Sequence, residues 1–388
     1  MSLRFELLRG TATGPRLGRL HFARGVVDTP AFMPVATRGM LRGPWPDRMR
    51  PMGVQMMLAN SFHLYARPGV ALVRELGGIH AFMGWDGPVL TDSGGFQGFS
   101  LGGSRMTDEA LEMPHPVDGR KVKWTPRLAF ETQAALAPDV AMLLDECPAD
   151  PRARDAVANA VARTLLWARE QRELHAARGG LSGSGQAQFA IVQGGVFADL
   201  REACASALVD LKFDGYAVGG VSVGEGYDAM MLGIEHSARH LPAGQVRYLM
   251  GVGTPRDLVE AVGRGMDLFD CVYPTRTGRF GSALTWDGVL HLKNAAFSAD
   301  PRPIEPGCAC DACATGVPRG AIRAGLKAEE LLPLSLLSHH NLHFLQQLMR
   351  ALRAAVAEGG FEALRARVLA AYPAPIIADP DLAEPATP

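Results

Sequence analysis

No apolar run in the chain approaches the roughly 20 residues that a membrane helix needs, and no membrane-embedded role is expected. The opening stretch, MSLRFELLRGTATGPRLGRL, has no apolar core of signal-peptide length. A cytoplasmic protein with reduced thiols is therefore the expectation. Net charge is also nearly absent: 39 basic and 40 acidic residues leave −1. That excludes a protein holding nucleic acid by bulk charge alone. The charge is uneven, however. Residues 1–45 carry seven Arg and two acids, which keeps a local basic face open. Cysteine is sparse, at six. In a reducing compartment these read as buried thiols, metal ligands or nucleophiles rather than disulfides. No internal repeat is evident.

What is present is an ordinary globular composition: 388 residues, 47% hydrophobic and 20% charged. This length suits two or three domains, or one barrel of about 250 residues with additions. Eight short apolar runs recur, each ending in a polar residue or glycine. They are AFMPVAT, VQMMLAN, PVLTDSGG, DVAMLLDE, QFAIVQGG, FDGYAVGG, VRYLMGVG and MDLFDC. Their lack of alternation suits strands buried on both faces. Helical patterns lie between several of them, at Arg152–Arg178, Leu200–Leu211 and Thr254–Gly265, the last with Thr254 as N-cap before Pro255. Strands alternating with helices in this number predict an α/β fold, a (β/α)8 TIM barrel, with a doubly wound open sheet as the runner-up.

Residues 1–270 are read as the barrel with an N-terminal β extension. Residues 271–327 are an insertion opening with a hairpin that turns at Asp287-Gly288. Residues 328–372 hold the last barrel helix, and the Pro-rich 373–388 reads as a disordered tail. Residues 101–125 form a long polar connection, and 178–186 (RGGLSGSGQ) a flexible loop.

Barrel active sites sit at the C-terminal strand ends. Asp92, Asp145, Gln193, Gly220, Gly251 and Asp270 all end predicted strands, so acidic and amide groups converge. Two carboxylates at one mouth, Asp92 and Asp270, suit chemistry at an anomeric carbon, one as nucleophile and one as acid/base. Asp145-Glu146 offers acceptors for the N–H edge of a planar base. Singly, each Asp could equally be a helix cap. Phe96 and Met250 stand beside glycine turns, where they either join the core or sandwich an aromatic ring. Arg276 and Arg279 either hold phosphates or form surface pairs. Cys308, Cys310 and Cys313 form C-x-C-x2-C, three thiolates that call for a fourth ligand to Zn2+ in a structural tetrahedral site. The following helix offers His339 and His340.

The motifs TDSGGFQ (91–97), NSFHLYARPG (60–69), DEC (145–147), VQGG (192–195), FDGYAVGGVSVGE (213–225), MGVGTP (250–255), DCVYPTRTGR (270–279) and CxCxxC followed by HN (340–341) resemble those of the tRNA-guanine transglycosylases. The resemblance covers residues 5 to 370. It implies an irregular (β/α)8 barrel with an inserted zinc subdomain. It also implies exchange of the wobble guanine of tRNAs for Asp, Asn, His and Tyr for a 7-deazaguanine, without ATP. On that resemblance Asp270 is the nucleophile and Asp92 the general acid/base. Asp145, Gln193 and Gly220 read the base, Phe96 and Met250 stack on it, and Arg276 and Arg279 contact tRNA. Cys308, Cys310, Cys313 and His340 hold one structural Zn2+. Cys147 and Val223 resemble the pocket of bacterial members, which take 7-aminomethyl-7-deazaguanine. The family tends to form homodimers. A non-catalytic tRNA-binding subunit of the same fold is the alternative, although such a subunit would be expected to lack one of the two carboxylates. Two segments depart from the family pattern: Met113-Pro-His-Pro, and 314–327, where the usual aromatic run is missing.

Overall fold

The computed structural model describes residues 3–100 and 103–374. Eight parallel strands form its centre: β1 (Ala31–Pro34), β2 (Met57–Ala59), β3 (Val89–Thr91), β4 (Val140–Met142), β5 (Ala187–Val192), β6 (Gly215–Val218), β7 (Arg247–Leu249) and β8 (Leu268–Cys271). Seven fall inside one of the eight apolar runs, and β5 starts one residue before its run, at Ala187. Consecutive strands pair from β2 round to β8, and β8 pairs with β1. A parallel bridge between Val35 and Leu58 joins β1 to β2 and closes the ring. The barrel, not the open sheet, is the observed architecture.

Closure gives the uninterrupted apolar runs a hidden alternation. Successive strand residues point to opposite faces. Ala31, Met33, Leu58, Leu90, Met142, Phe189, Ile191, Ala217, Tyr248 and Leu268 form one cluster in the lumen. Phe32, Met57, Val89, Ala190, Val192, Tyr216, Val218, Leu249 and Phe269 belong to a second, beneath the helices. Both parities are apolar because both faces are covered, as expected for a parallel barrel.

The helices form close to the expected places, at Arg154–Ala177, Ala198–Asp210 and Pro255–Gly263. Thr254 caps the last of these, its hydroxyl accepting from the Asp257 N–H. Three local expectations are corrected. The segment 178–186 is not a loop throughout, since Gly180–Ser184 forms a short helix closed by the Ser184 hydroxyl on the Gly180 carbonyl. The 101–125 connection contains an antiparallel sheet of Arg105–Met106, Leu111–Pro114 and Lys121–Trp124. There Met113 is buried beside Phe62 and Trp124, and His115 pairs with Asp118 to tighten the turn. The hairpin Ser282–Thr285/Gly288–His291 turns at Trp286-Asp287, one residue earlier than expected, because Thr285 already pairs with Gly288. The tail reading falls on residues that, beyond Ala374, lie outside those described.

Leu331–Glu358 forms one long helix. Gln346 on it donates to the Phe32 carbonyl of β1, and Asn341 grips Pro274, Ser282 and Leu284. The helix thus packs on the barrel and the insertion together. Among the described residues, no helix is long and apolar enough to cross a membrane.

At the opposite end, an antiparallel sheet of Arg4–Arg9, Leu17–Phe22 and Gly25–Thr29 plugs the floor with Leu20, Phe22 and Val27. Asp267 holds it there. The carboxylate faces Arg16 Nε at 3.2 Å and accepts from the Arg247 N–H at 2.8 Å, with all three side chains buried. Removing this carboxylate leaves the buried Arg16 guanidinium without its ion partner and the buried Arg247 N–H without its acceptor. Asp267→Ala is expected to cost about 3–5 kcal/mol, read as a lower urea midpoint at pH 7.5; an unchanged midpoint would refute the floor clamp.

Candidate active site

Strand parity delivers the site. Asp92 lies two residues past Leu90, Gln193 two past Ile191, Met250 two past Tyr248 and Asp270 two past Leu268. Each continues a lumen-facing row into the barrel mouth. Asp145 does not follow this rule. Past β4 the Leu144 N–H leaves the strand ladder for the Gln171 side chain, and the next residue, Asp145, reaches Gln193 and Ser93.

Asp270 is fixed through one oxygen. Its Oδ1 accepts from the Tyr248 hydroxyl at 2.5 Å and from the Gly251 N–H at 2.8 Å. Burial raises its pKa, opposed by these two bonds. Tyr248 is itself buried beside Asp270 and Asp92, which holds its pKa well above the usual phenol range. It therefore remains a donor. Asp92 is held through both oxygens, by the Ser61 N–H at 2.7 Å, the Asn60 amide at 2.6 Å and the Gln97 amide at 3.3 Å. Burial pushes it up to about 6, and the Asp270 charge adds to the rise. The two carboxylates thus lie near enough at the mouth for the charge of one to raise the pKa of the other.

Asp145 accepts from the Gln193 amide at 2.7 Å and the Ser93 hydroxyl at 3.2 Å. Burial pushes it, too, up to about 6. The Gln193 Oε1 is buried with no partner. It packs so closely on Gly220 that a Cβ there would lie 2.2 Å away, at a backbone φ of +59°. Only glycine suits that position. Cys147 adjoins this group, its thiol pushed up to about 12 by burial and the Asp145 charge, so it is a neutral wall rather than a thiolate. Val223 is half-buried in the loop after β6, where Glu225 accepts its N–H at 2.8 Å and also that of Ser222. Phe96 remains 50% exposed on the short helix Gly95–Ser100, and Met250 is partly buried.

Arg276 and Arg279 sit one turn apart on the helix Tyr273–Arg279 that follows β8. Burial and the charges of Arg42 and Arg276 lower the Arg279 pKa. Burial, then Arg38 and Arg42, depress His63 to about 4. The basic face suggested by residues 1–45 therefore joins the two expected arginines at the rim of the mouth.

The sulfurs of Cys308, Cys310 and Cys313 lie 3.8, 3.5 and 3.4 Å from His340 Nδ1. A tetrahedral ion with bonds of about 2.3 Å to sulfur and about 2.0 Å to nitrogen would set such edges near 3.5 Å. His340 Nε2 donates to the Leu284 carbonyl at 2.8 Å, which leaves Nδ1 as the ligand atom. His339 points elsewhere, toward Asp311. The four residues can hold a metal ion with no position left open.

The sequence reading left Tyr248, Asn60, Gln97, Glu225 and Arg201 without roles. Lumen parity with Met250 marks Tyr248. Asn60, Gln97 and Glu225 lie within stretches already singled out. Nothing local marks Arg201.

Asp145 yields a stability prediction. Its folded pKa of about 6 lies above the ordinary 3.8. The unfolded chain therefore ionises first as pH rises, and stability falls between about pH 4 and 6. Asp145→Asn keeps the shape and can pair with Gln193 after an amide flip. The variant is expected to gain roughly 2–3 kcal/mol over the natural chain at pH 7.5 and nothing below about pH 4. Equal melting shifts at both pH values would contradict this.

Comparison with known proteins agrees with the motif resemblance. The family model described as Queuine tRNA-ribosyltransferase matches residues 11–374. A protein of that name from Pelotomaculum thermopropionicum is 47% identical over 349 residues, 90% of this chain and 92% of its own length. Those from Stenotrophomonas maltophilia and Ruegeria pomeroyi are 45% and 44% identical, covering 92% and 94% of this chain and 94% and 96% of their own lengths. The chain belongs to the queuine tRNA-ribosyltransferase family.

Proposed function

We propose that the chain is a tRNA-guanine transglycosylase that replaces the wobble guanine of tRNAs for Asp, Asn, His and Tyr with 7-aminomethyl-7-deazaguanine, in queuosine biosynthesis. The observation that carries this reading is the pair Asp92 and Asp270 beside the base-reading group Asp145–Gln193–Gly220. A guanine presents N1–H and an exocyclic amine as donors and its 6-oxo group as acceptor. Asp145 can accept from the donors, and a backbone N–H can meet the oxo group.

Asp270 is oriented through Oδ1, which leaves Oδ2 for attack at the ribose C1′. The C1′–N9 bond breaks as the C1′–O bond forms, giving a ribosyl ester of Asp270. Asp92, able to exchange a proton near pH 6, supplies one to the leaving guanine and takes one from the incoming base. The pH dependence of exchange then belongs to the carboxylate pair rather than to either residue. Phe96 and Met250 sandwich the base, and Cys147 and Val223 line the space for its 7-substituent. Arg276 and Arg279 engage the anticodon-loop phosphates. A homodimer is part of this reading, by family resemblance. The metal is proposed to be one Zn2+ that ties the insertion to the long helix and takes no part in the chemistry.

Labelled guanine should enter unmodified tRNA-Tyr, and 7-aminomethyl-7-deazaguanine should block it. Asp270→Ala should abolish entry; full activity in that variant would remove Asp270 as nucleophile. No entry with folded natural protein would favour a non-catalytic tRNA-binding subunit. The purified protein should carry about one zinc per chain by atomic spectroscopy, and chelation should melt the insertion. An unchanged melting profile after chelation would contradict a structural ion.

A further inference from the structure

Arg201 lies in the first turns of the helix Ala198–Asp210, and its side chain is fully buried. Nε donates to the Gly195 carbonyl at 2.6 Å. Nη1 donates to the Gly219 carbonyl at 3.2 Å and the Ser237 hydroxyl at 3.1 Å. Nη2 donates to the Gly220 carbonyl at 3.0 Å. Three of these four acceptors are backbone carbonyls of the turns that follow β5 and β6. Those turns carry Gln193 and Gly220. Among the described residues no carboxylate pairs directly with the guanidinium; Glu225 acts on it only through space.

A buried cation without a direct counter-ion is expensive, and an apolar side chain would fill the same volume at lower cost. The surroundings are shaped to admit it nonetheless. A Cβ on Gly194 would stand 2.5 Å from Arg201 Cγ, and one on Gly233 3.1 Å from Nε. Gly233 lies inside the helix Tyr227–Ala238, where glycine is otherwise unfavourable. The Gly219 carbonyl and the Gly220 N–H belong to one peptide unit. A cation on that carbonyl draws electron density toward oxygen and makes the N–H a stronger donor. Among the described residues, no protein acceptor meets the Gly220 N–H.

We propose that Arg201 is a positioning residue that fixes the Gly219-Gly220 turn and polarises the Gly220 N–H toward the 6-oxo group of the base. The inference rests on the base-exchange reading above. It assigns part of the discrimination for oxo-purines to a side chain that never touches substrate.

Calorimetry with two ligands tests it: 7-aminomethyl-7-deazaguanine and its oxo-free 6-thioxo analogue, which keeps the N1–H for Asp145 but offers sulfur, a much weaker acceptor, to the Gly220 N–H. Arg201→Met should weaken the oxo ligand by about tenfold or more and the oxo-free ligand by less than about twofold. KM for tRNA should stay near the natural value. Arg201→Lys keeps the charge but cannot span both carbonyls, and should lie between. If Arg201→Met fails to fold, Gly233→Ala crowds the guanidinium from the far side and should show the same selective loss. Equal losses for both ligands, or none for either, would overturn the inference while leaving base exchange intact. Natural protein that binds neither ligand would overturn both.

Discussion

Closing eight parallel strands into a ring forces every second side chain inward, and the remainder of the molecule follows from that constraint. Below the mouth the inward row is apolar and fills the lumen. At the mouth the same row continues as Asp92, Gln193, Met250 and Asp270. No loop has to search for these positions. They are set by the pleat of the strands, which brings side chains from separate strand ends to one mouth.

The mouth is electrostatically costly. Asp92 and Asp145 are buried and Asp270 half-buried, and among the described residues no arginine or lysine bonds directly to them. They are held instead by amides, hydroxyls and backbone N–H groups. Neutral donors stabilise a carboxylate less than a cation does, so burial prevails and the pKa values rise. That places Asp92 where a proton can move in either direction near neutral pH. The buried cation Arg201 is directed at peptide carbonyls rather than at carboxylates. Its charge strengthens backbone donors without quenching the acids.

The rim combines two distant parts of the chain. Arg38 and Arg42 come from the segment after β1, and Arg276 and Arg279 from the helix after β8. Ring closure makes β1 and β8 neighbours, so charge separated by more than 230 residues in sequence gathers on one face. The insertion that carries the Cys308–Cys310–Cys313 cluster leaves the barrel beside that face. The Leu331–Glu358 helix anchors it by presenting His340 to the sulfurs and Asn341 to Pro274, Ser282 and Leu284. Adjacent residues of one helix thereby fix the insertion to the start of the rim.

By itself the sequence determined the eight strands, the polar residues ending them, the paired carboxylates and the cysteine spacing. These depend on local patterns: an apolar run, its terminating residue and the spacing of like residues. Partner choice was decided by tertiary structure. Asn60 and Gln97 grip Asp92, Tyr248 orients Asp270, and Arg201 braces two glycine turns only once separate strands stand side by side. His340 and not His339 meets the sulfurs because helix rotation against the barrel turns one ring toward them and the other toward Asp311. The raised pKa values exist only where closure removes water. Local periodicity fixes which way a side chain points; only the closed, desolvated barrel fixes what it meets and how strongly.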